Sequence, residues 1–458
     1  MNTNGIQSRK KKQEKSADAA KEWVKVDFTK EMGKIKPLHG VNNSPVVLNG
    51  EIPTMRDAGI PYVRLHDAAG GFGGTYYVDV PNLFPDFNAD PENAASYDFA
   101  FNDAYFRSLI ASGVKIFYRL GVTIENFWQI KVQRINPPED FKQWARICEG
   151  IIRHYNHGWA NGFHYGIEYW EIWNEPENPP MWTGSREQFF RFYGIVANHL
   201  KKCFPEIKVG GYGSCGFYEV TRKKLDDFYL TFIPYFTEFL EYISAPKTRA
   251  PLDFFSWHLY PDDPAEIVNH AVFVDKMLKK YGFVQTENIF DEWNFATGIY
   301  GGNPWDDIKE MPGATFVASS LCLMQKSPID KAMYYDAFPE RIFCGLYYFP
   351  SMAVTKTFFA FFAFNELYKL GTAVECSSDI ANKTYACAAR GDKNQSAVLI
   401  VNYSTSDKLL YFDVKGGNGN PEFYLLDKWH LLSETPSVHP RNGELTMPKL
   451  SVVLVKFR

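Results

Sequence analysis

Short apolar runs alternate with longer amphipathic stretches over roughly the first three quarters of the chain. Eight runs are strand candidates, at 37–42, 62–66, 115–121, 169–175, 208–213, 253–260, 288–295 and 331–337. The segments between them have helical periodicity, as in "REQFFRFYGIVANHLKKCF". Strands that alternate with helices form parallel sheets, and eight strands close a (β/α)8 barrel. The pattern therefore predicts an α/β protein with a TIM barrel. The alternative is a doubly wound open sheet, but no GxGxxG segment supports a nucleotide-binding version.

The pattern changes after residue 371. The helical segment "TKTFFAFFAFNELYKLG" ends at Gly371, a plausible C-cap. Four short alternating runs follow, "AVLIVNYS", "KLLYFDV", "PEFYLLD" and "KLSVVLVKFR", separated by turns rich in Gly, Asn and Pro. They predict a C-terminal antiparallel β-sandwich domain. We expect a disordered polar tail at 1–22, a strand at 23–33 that joins the sandwich, the barrel at 34–371 and the sandwich at 372–458.

Composition narrows the class of protein. Hydrophobic residues make up 45% of the 458 residues, which is enough for a large core. The net charge of −4 does not favour nucleic acid as a partner, because no overall positive potential would attract it. The polar tail lacks the apolar stretch of a secretory signal, and no run of about 20 apolar residues predicts a membrane span. We therefore expect a cytoplasmic location. Aromatic residues at 17% suit a carbohydrate site, although core packing alone also explains them.

Cysteine and histidine spacing indicates neither a metal nor a cofactor. The seven cysteines include no CxxC pair, and the ten histidines form no HExxH segment. Reduced thiols without a zinc site are the simplest interpretation.

Two predicted strands end in glutamates, and these are the strongest chemical signal. "WEIWNEPE" at 170–177 contains Glu175, and "NIFDEWNF" at 288–295 contains Glu292. Active sites of (β/α)8 barrels lie at the C-terminal ends of the strands, so the two carboxylates should meet. A buried glutamate without a role costs several kcal/mol, and burial raises the carboxyl pKa, as a general acid needs. Two facing carboxylates are the equipment for glycoside hydrolysis. A structural ion pair with Arg is the alternative for each glutamate.

The segment "EIWNEPENPPMW" resembles the acid/base segment of clan A retaining glycosidases, and most of all glycoside hydrolase family 39, the β-xylosidase and α-L-iduronidase family. The resemblance implies that Glu175 is the acid/base and that Asn174 holds the sugar 2-hydroxyl. "DEWN" is similar to the segment that carries the nucleophile, which implies that role for Glu292.

Three further segments carry the resemblance. "VRLH" implies Arg64 near the nucleophile and His66 at the substrate, and "DFFSWHLY" implies a His–Tyr pair, His258 and Tyr260. "DAFPERIFCGLYY" resembles the segment whose glutamates grip the far side of the sugar, here Glu340.

Position alone adds two substrate-binding candidates. His39 lies near the end of the first predicted strand, and Trp293 lies beside Glu292 and could form a sugar platform. For both, core packing is the alternative.

Together these segments imply a retaining exo-β-glycosidase that hydrolyses an oligosaccharide or glycoside, with β-xyloside as the first expectation. Accessory domains of this kind also suggest a homo-oligomer. The chain departs from the family pattern at "DAAGGFGGTYY" after His66, and at "FPER" where two adjacent glutamates are usual. β-Glucosidase, α-L-arabinofuranosidase and uronidase activities stay open, and for a uronidase Arg341 would meet the substrate carboxylate. A non-catalytic sugar-binding protein is the remaining alternative, which the retention of both glutamates disfavours.

Overall fold

The computed structural model describes residues 22–68, 77–122, 136–295, 304–340, 342–392 and 395–458. Its first strand, β1 (Glu22–Lys34), belongs to an accessory sheet. The next eight strands are parallel and close into a barrel. They are β2 (Gly40–Asn42), β3 (Tyr62–Leu65), β4 (Lys115–Leu120), β5 (Tyr169–Ile172), β6 (Lys208–Ser214), β7 (Phe254–Leu259), β8 (Glu287–Trp293) and β9 (Lys331–Tyr334). The predicted TIM barrel is confirmed.

Helices surround the barrel, and their ends follow sequence signals. Ser185 and Gln188 form a capping box at the start of α5, and Gly371 closes α10 with φ 84°. The helices of the described residues are α1 (Pro53–Asp57), α2 (Val80–Leu83), α3 (Ala100–Ala111), α4 (Phe141–His157), α5 (Arg186–Cys203), α6 (Phe232–Ser244), α7 (Pro264–Lys280), α8 (Pro304–Asp307), α9 (Met311–Met324) and α10 (Lys356–Leu370). None of these described helices is both long and apolar enough to cross a bilayer.

The barrel interior is layered, and the layers position the polar residues. An apolar floor is formed by Tyr62, Phe117, Tyr169, Phe254, Ile289 and Met333. Side chains two residues further along a strand point to the same side. The layer above the floor is therefore occupied by polar side chains, namely Arg64, Arg119, Glu171, Ser256 and Asp291, all fully buried.

A β-bulge in β8 adds a second carboxylate to this interior. Trp257 pairs with Phe290 but His258 pairs with Glu292, so Asp291 is the extra residue. A bulge breaks the alternation of side chains along a strand. Both carboxylates consequently contact Arg64. Asp291 Oδ2 lies 3.0 Å from Arg64 Nε, and Glu292 Oε2 lies 3.1 Å from Arg64 Nη1.

The accessory domain is one nine-stranded sheet in the order β15-β14-β17-β12-β11-β10-β1-β13-β16. Its strands after the barrel are β10 (Thr372–Ser378), β11 (Thr384–Arg390), β12 (Ser396–Asn402), β13 (Lys408–Lys415), β14 (Pro421–Leu426), β15 (Leu431–Glu434), β16 (Glu444–Met447) and β17 (Ser451–Phe457). The pairs are antiparallel except β1 with β13. Both ends of the sheet contribute to one core, Leu410 and Leu445 from one end and Phe423 from the other, so the sheet curls on itself.

Of the two segments predicted at the N-terminus, the structure describes the strand. The strand predicted at 23–33 lies within β1, between β10 and β13 of the accessory sheet. The tail predicted at 1–22 lies outside the described residues, except for Glu22, the first residue of β1.

Candidate active site

Glu292 lies at the end of β8 with its carboxylate held from two sides. Arg64 Nη1 donates to Oε2 at 3.1 Å, and the Tyr260 hydroxyl donates to Oε1 at 2.7 Å. His66 Nε2 is 3.8 Å from Oε2. Burial raises the pKa of Glu292, and the charge of Glu175 raises it further against the opposing effects of His258 and Arg64. Glu292 is 6% exposed, which leaves its carboxylate reachable from the barrel mouth.

Glu175 follows β5 on a backbone that departs from extended geometry. Trp173 has φ 72° and Glu175 has φ 47°, a left-handed region that bulky residues rarely adopt. The Glu175 N–H donates to the carbonyl of Gly213 at 2.9 Å, which ties this turn to β6. Its side chain accepts from Asn178 Nδ2 at 3.2 Å and contacts His258 Nδ1 at 2.8 Å. Such conformations persist where the surroundings fix them, and they cluster at functional sites.

The two glutamates meet across the mouth of the barrel. Carboxylate oxygens of Glu175 and Glu292 lie within 4.8 Å of each other, and a ring nitrogen of His258 lies within the same distance of both. Retaining glycosidases place their carboxyl groups about 5–5.5 Å apart, whereas inverting ones need about 6.5–9.5 Å for a water molecule. The closest oxygens of the pair are therefore nearer to the retaining spacing than to the inverting one.

The protonation of the pair differs from the expectation that burial would raise the pKa of the acid. Burial acts in that direction on Glu175, but the hydrogen bond and the charge of His258 outweigh it and lower the pKa. Burial likewise opposes a charge on His258, but Glu292 and Glu175 raise the pKa of the imidazole. Both shifts favour a proton on the imidazole of His258 over one on the Glu175 carboxylate, 2.8 Å away.

Arg64 donates hydrogen bonds to several polar residues in and around the buried layer. Its Nε donates to Glu171 Oε2 at 2.8 Å, and its Nη1 also donates to Asn42 Oδ1 at 3.0 Å. Its Nη2 donates to Asn174 Oδ1 at 2.7 Å. Since the amide oxygen of Asn174 faces Arg64, the Nδ2 hydrogens are the donors that remain for a sugar hydroxyl.

A second acidic cluster adjoins the site. Asp67 accepts from the Tyr335 hydroxyl at 2.5 Å and from Asn43 Nδ2, which also donates to Asp336 at 3.3 Å. Asp336 is buried, and its Oδ1 has no hydrogen-bond partner among the described residues. Burial raises its pKa well above the ordinary value, and Glu340 and Asp67 add to the shift. Glu340 therefore lies near this cluster, whereas Arg341 lies outside the described residues.

Two predicted substrate-binding residues are not brought to the site. His39 precedes β2 rather than ending it, donates from Nε2 to the Gly59 carbonyl at 3.0 Å, and packs against Phe364 and Tyr368. The Trp293 ring is fully buried and packs outward against Phe316 of α9. Of the other predicted residues, seven are in or directly beside the site: Asn174, Glu175, Arg64, His66, His258, Tyr260 and Glu292.

Sequence reasoning missed several residues of the site. Glu171 and Asp291 each lie two residues after a residue of the apolar floor, so the period of two along β5 and β8 was the available signal. Gly213 was missed as well. A Cβ there would lie 3.0 Å from Asn174 Oδ1, 3.1 Å from His258 Nε2 and 3.2 Å from Arg64 Nη2.

Potential metal ligands converge at two places in the described residues. Glu175, His258 and Glu292 form one group, and Glu149, His199 and Cys203 form another on α4 and α5. In the first group, Arg64 and the imidazole already supply positive charge to the carboxylates. The second is a His–Glu contact of 2.7 Å, with the thiol 3.8 Å from the same ring nitrogen.

Known proteins resemble this chain in sequence. The family model for glycosyl hydrolases family 39 matches residues 55–312, more than half of the chain. A beta-xylosidase from Geobacillus stearothermophilus is 24% identical over 217 residues, which are 44% of this chain and 36% of that protein. The chain thus matches about a third of that relative's length.

Solved structures support the fold over nearly the whole chain. A glucosidase from Croceicoccus marinus is 22% identical with a TM-score of 0.74, covering 95% of this chain and 98% of the glucosidase. A GH39 enzyme from Xanthomonas axonopodis pv. citri is 17% identical with a TM-score of 0.68, covering 96% and 97%.

Proposed function

The chain belongs to glycosyl hydrolases family 39 and is a glycosidase, and on that premise we propose that it is a retaining exo-β-glycosidase acting on a β-xyloside-like terminal sugar. The observation that carries the proposal is the approach of Glu175 and Glu292 to within 4.8 Å. The separation favours this route over inversion, because an inverting enzyme holds its carboxyl groups further apart to admit a water molecule beside the sugar.

In the first step Glu292 is the nucleophile. One of its oxygens bonds to the anomeric carbon while the bond from that carbon to the leaving oxygen breaks, and the leaving oxygen takes a proton from Glu175. Arg64 and Tyr260 hold the Glu292 carboxylate in place for attack. Asn174 offers its Nδ2 hydrogens to the sugar hydroxyl next to the reacting carbon, where charge develops.

In the second step Glu175 acts as the base. It removes a proton from water, the water oxygen bonds to the anomeric carbon, and the ester bond to Glu292 breaks. His258 Nδ1, 2.8 Å from Glu175, supplies the proton that Glu175 passes to the leaving oxygen in the first step and takes back the proton that Glu175 removes from water in the second.

The acidic cluster supports a neutral sugar. Asp67, Asp336 and Glu340 place carboxyl groups beside the pocket, where they can accept hydrogen bonds from sugar hydroxyls. A uronic acid would bring its carboxylate against these carboxyl groups, and none of the three residues supplies a cation to meet it. Among the activities left open by the sequence, this favours β-xyloside and β-glucoside over a uronide.

The test is hydrolysis of aryl glycosides by the wild type and Glu292→Gln. The panel contains β-xyloside, β-glucoside, β-galactoside, α-L-arabinofuranoside, β-glucuronide and α-L-iduronide. We expect cleavage of a neutral sugar with retained configuration by NMR, and a loss of at least about 1,000-fold in the variant. Preference for a uronide would contradict the neutral sugar, and inverted product would contradict the mechanism. No cleavage of any substrate would favour a sugar-binding protein.

Metal removal is a separate test of the predicted absence of a cofactor. Every step above uses protein side chains, so dialysis against EDTA should leave kcat/KM unchanged. A loss that Mn²⁺ or Zn²⁺ restores would contradict this expectation.

A further inference from the structure

Three carboxyl groups converge on the guanidinium of Arg64 under the active site, and its single charge cannot neutralise all of them. Carboxylate oxygens of Glu171, Asp291 and Glu292 all lie between 2.8 and 3.1 Å from Arg64 nitrogens. Two of these three carboxylates accept hydrogen bonds of normal geometry. Glu171 accepts from Arg64 Nε and from the Ser256 hydroxyl at 2.5 Å, and Glu292 accepts from Arg64 Nη1 and Tyr260.

Asp291 is the carboxyl group without a donor. The single hydrogen of Arg64 Nε goes to Glu171, and neither carboxylate oxygen of Asp291 accepts a hydrogen bond from the described residues. Asp291 is fully buried, and a buried carboxylate without donors costs far more than its neutral form. It therefore carries a proton, which Glu171 stabilises as acceptor, and the pKa of Asp291 lies well above the ordinary value because of burial and the charges of Glu171 and Glu292.

The other oxygen of Asp291 faces the residue that shares a proton with Glu175. Asp291 Oδ1 is 3.6 Å from His258 Nε2, slightly beyond hydrogen-bond distance, and Nε2 has no hydrogen-bond partner among the described residues. Contacts of this kind commonly shorten when substrate closes a site. The groups around the imidazole are Glu175 after β5, Asp291 and Glu292 from β8, Arg64 from β3, and His66 directly after β3.

We propose that Asp291 is a positioning residue for acid catalysis: as a neutral acid it accepts the Nε2–H of His258 and so makes Nδ1 the nitrogen that exchanges a proton with Glu175. The exchange is balanced. The Nδ1–H bond breaks as an O–H bond forms on Glu175, the imidazolium becomes a neutral imidazole that keeps Nε2–H, and the carboxylate becomes a carboxylic acid. An ionised Asp291 would instead hold His258 as a cation and leave Glu175 unable to protonate a leaving group.

The inference rests on the proposed function, and leaving groups of different basicity test it. Asp291→Leu removes the acceptor but keeps a side chain that branches at Cγ, whereas Asp291→Asn keeps a neutral acceptor and a donor toward Glu171. A phenyl glycoside needs acid catalysis, but a 2,4-dinitrophenyl glycoside departs without a proton. For Asp291→Leu we expect kcat/KM to fall by about 100-fold on the phenyl substrate and to stay within about threefold on the dinitrophenyl substrate. Asp291→Asn should remain within about threefold of wild type on both.

Controls separate a folding defect from the proposed role. Asp330→Leu and Asp330→Asn make the same changes before β9, where Asp330 accepts a hydrogen bond from the Asn288 N–H. Neither control variant should change the ratio of kcat/KM on the phenyl glycoside to kcat/KM on the dinitrophenyl glycoside. Labelling of Glu292 by a 2-deoxy-2-fluoro glycoside, read by intact mass, reports that each variant is folded with an active nucleophile.

Three outcomes would overturn the inference. They are an equal loss on both substrates in Asp291→Leu, no loss on either, or an Asp291→Asn variant that behaves like Asp291→Leu. Failure of the proposed function itself is distinct, because the wild type would then cleave neither glycoside.

Discussion

In the proposed mechanism the carboxylate of Glu292 must be ionised to attack, although its surroundings disfavour a charge. Arg64 and Tyr260 each give it a hydrogen bond, and burial nevertheless raises its pKa. Because the nucleophile works only when ionised, activity should decline as pH falls through this raised pKa. The acid limb of the pH profile of kcat/KM should lie above the ordinary range of a glutamate, about 4.3.

Tyr260→Phe tests how far the hydrogen bond from Tyr260 offsets the effect of burial on the pKa of Glu292. The variant removes the donor to Oε1, so the pKa of Glu292 should rise further and the acid limb should move to higher pH. A hydrogen bond to a charged group contributes about 1.5–3 kcal/mol, so kcat/KM should fall by about 10- to 100-fold. The control is Tyr169→Phe, which removes a tyrosine-to-glutamate hydrogen bond to Glu287 at the opposite end of the barrel. An unchanged acid limb in Tyr260→Phe would contradict the role of this contact.

Glu177 predicts a pH dependence of stability. Its Oε1 accepts from the Ser214 hydroxyl and the Cys215 N–H, but its Oε2 is buried without a partner among the described residues, and burial raises its pKa to about 7. Between pH 4.5 and 7 the native state keeps a proton that the unfolded chain loses, so this residue lowers stability as pH rises.

Glu177→Gln should therefore stabilise the protein at pH 8 relative to pH 4, by on the order of 1–3 kcal/mol. Urea unfolding of variant and wild type at the two pH values measures the difference. Glu219→Gln, on the exposed surface, is the matched control. Equal effects of Glu177→Gln at both pH values would show that the group is ionised throughout.

At the level of single residues, the sequence predicted where the two glutamates lie better than it predicted their electrostatics. Strand-end position was sufficient for Glu175 and Glu292, since the barrel brings such ends together. The lowered pKa of Glu175 depends on His258 from another strand, which no local pattern reveals. Trp293 follows Glu292 directly, and the alternation of side chains turns its ring toward α9.

Among the elements, β6 depends on glycine where it passes the site. Gly213 has φ +64°, and a Cβ there would press on Asn174, His258 and Arg64 at 3.0–3.2 Å. Contacts this short force the neighbours to move by tenths of an ångström, and catalytic geometry tolerates little of that.

Gly213→Ala and Gly166→Ala form a matched pair. Gly166 has φ +63° but nothing within 4 Å of an added Cβ. Both variants should lose about 1 kcal/mol of stability from the left-handed backbone. Only Gly213→Ala should also lose kcat, by at least about 10-fold, when assayed well below its unfolding temperature. Equal activity of the two variants would mean that β6 can shift without cost.

Strands were predictable where their own residues favour β-structure. All eight barrel strands carry apolar runs long enough to recognise. β10 and β11 read "TAVECSS" and "TYACAAR", which contain few β-branched or aromatic residues, and they went unpredicted. They form because they pair with β1 and β12. The bulge at Asp291 was equally invisible, because the register of β7 with β8 decides it.

At the scale of the whole molecule, the barrel and the accessory sheet share one core. Leu399 and Leu454 on the outer face of the sheet belong to the same apolar cluster as Leu321 of α9 and Phe361 of α10. Polar contacts accompany this packing, since Lys326 Nζ donates to the carbonyls of Cys376 and Ala386. A shared core of this kind couples the unfolding of the two parts.

Leu454→Ala tests this coupling. The side chain is 1% exposed, and a buried Leu→Ala change costs about 2–5 kcal/mol. Because the cavity opens on the barrel side of the sheet, we expect the thermal midpoint of activity loss to fall together with the midpoint seen by circular dichroism. Leu409→Ala on β13, where the side chain is 51% exposed, should change neither midpoint. If circular dichroism showed an early transition while activity kept its wild-type midpoint, the sheet would unfold independently. In that case the barrel would retain its site without the accessory domain.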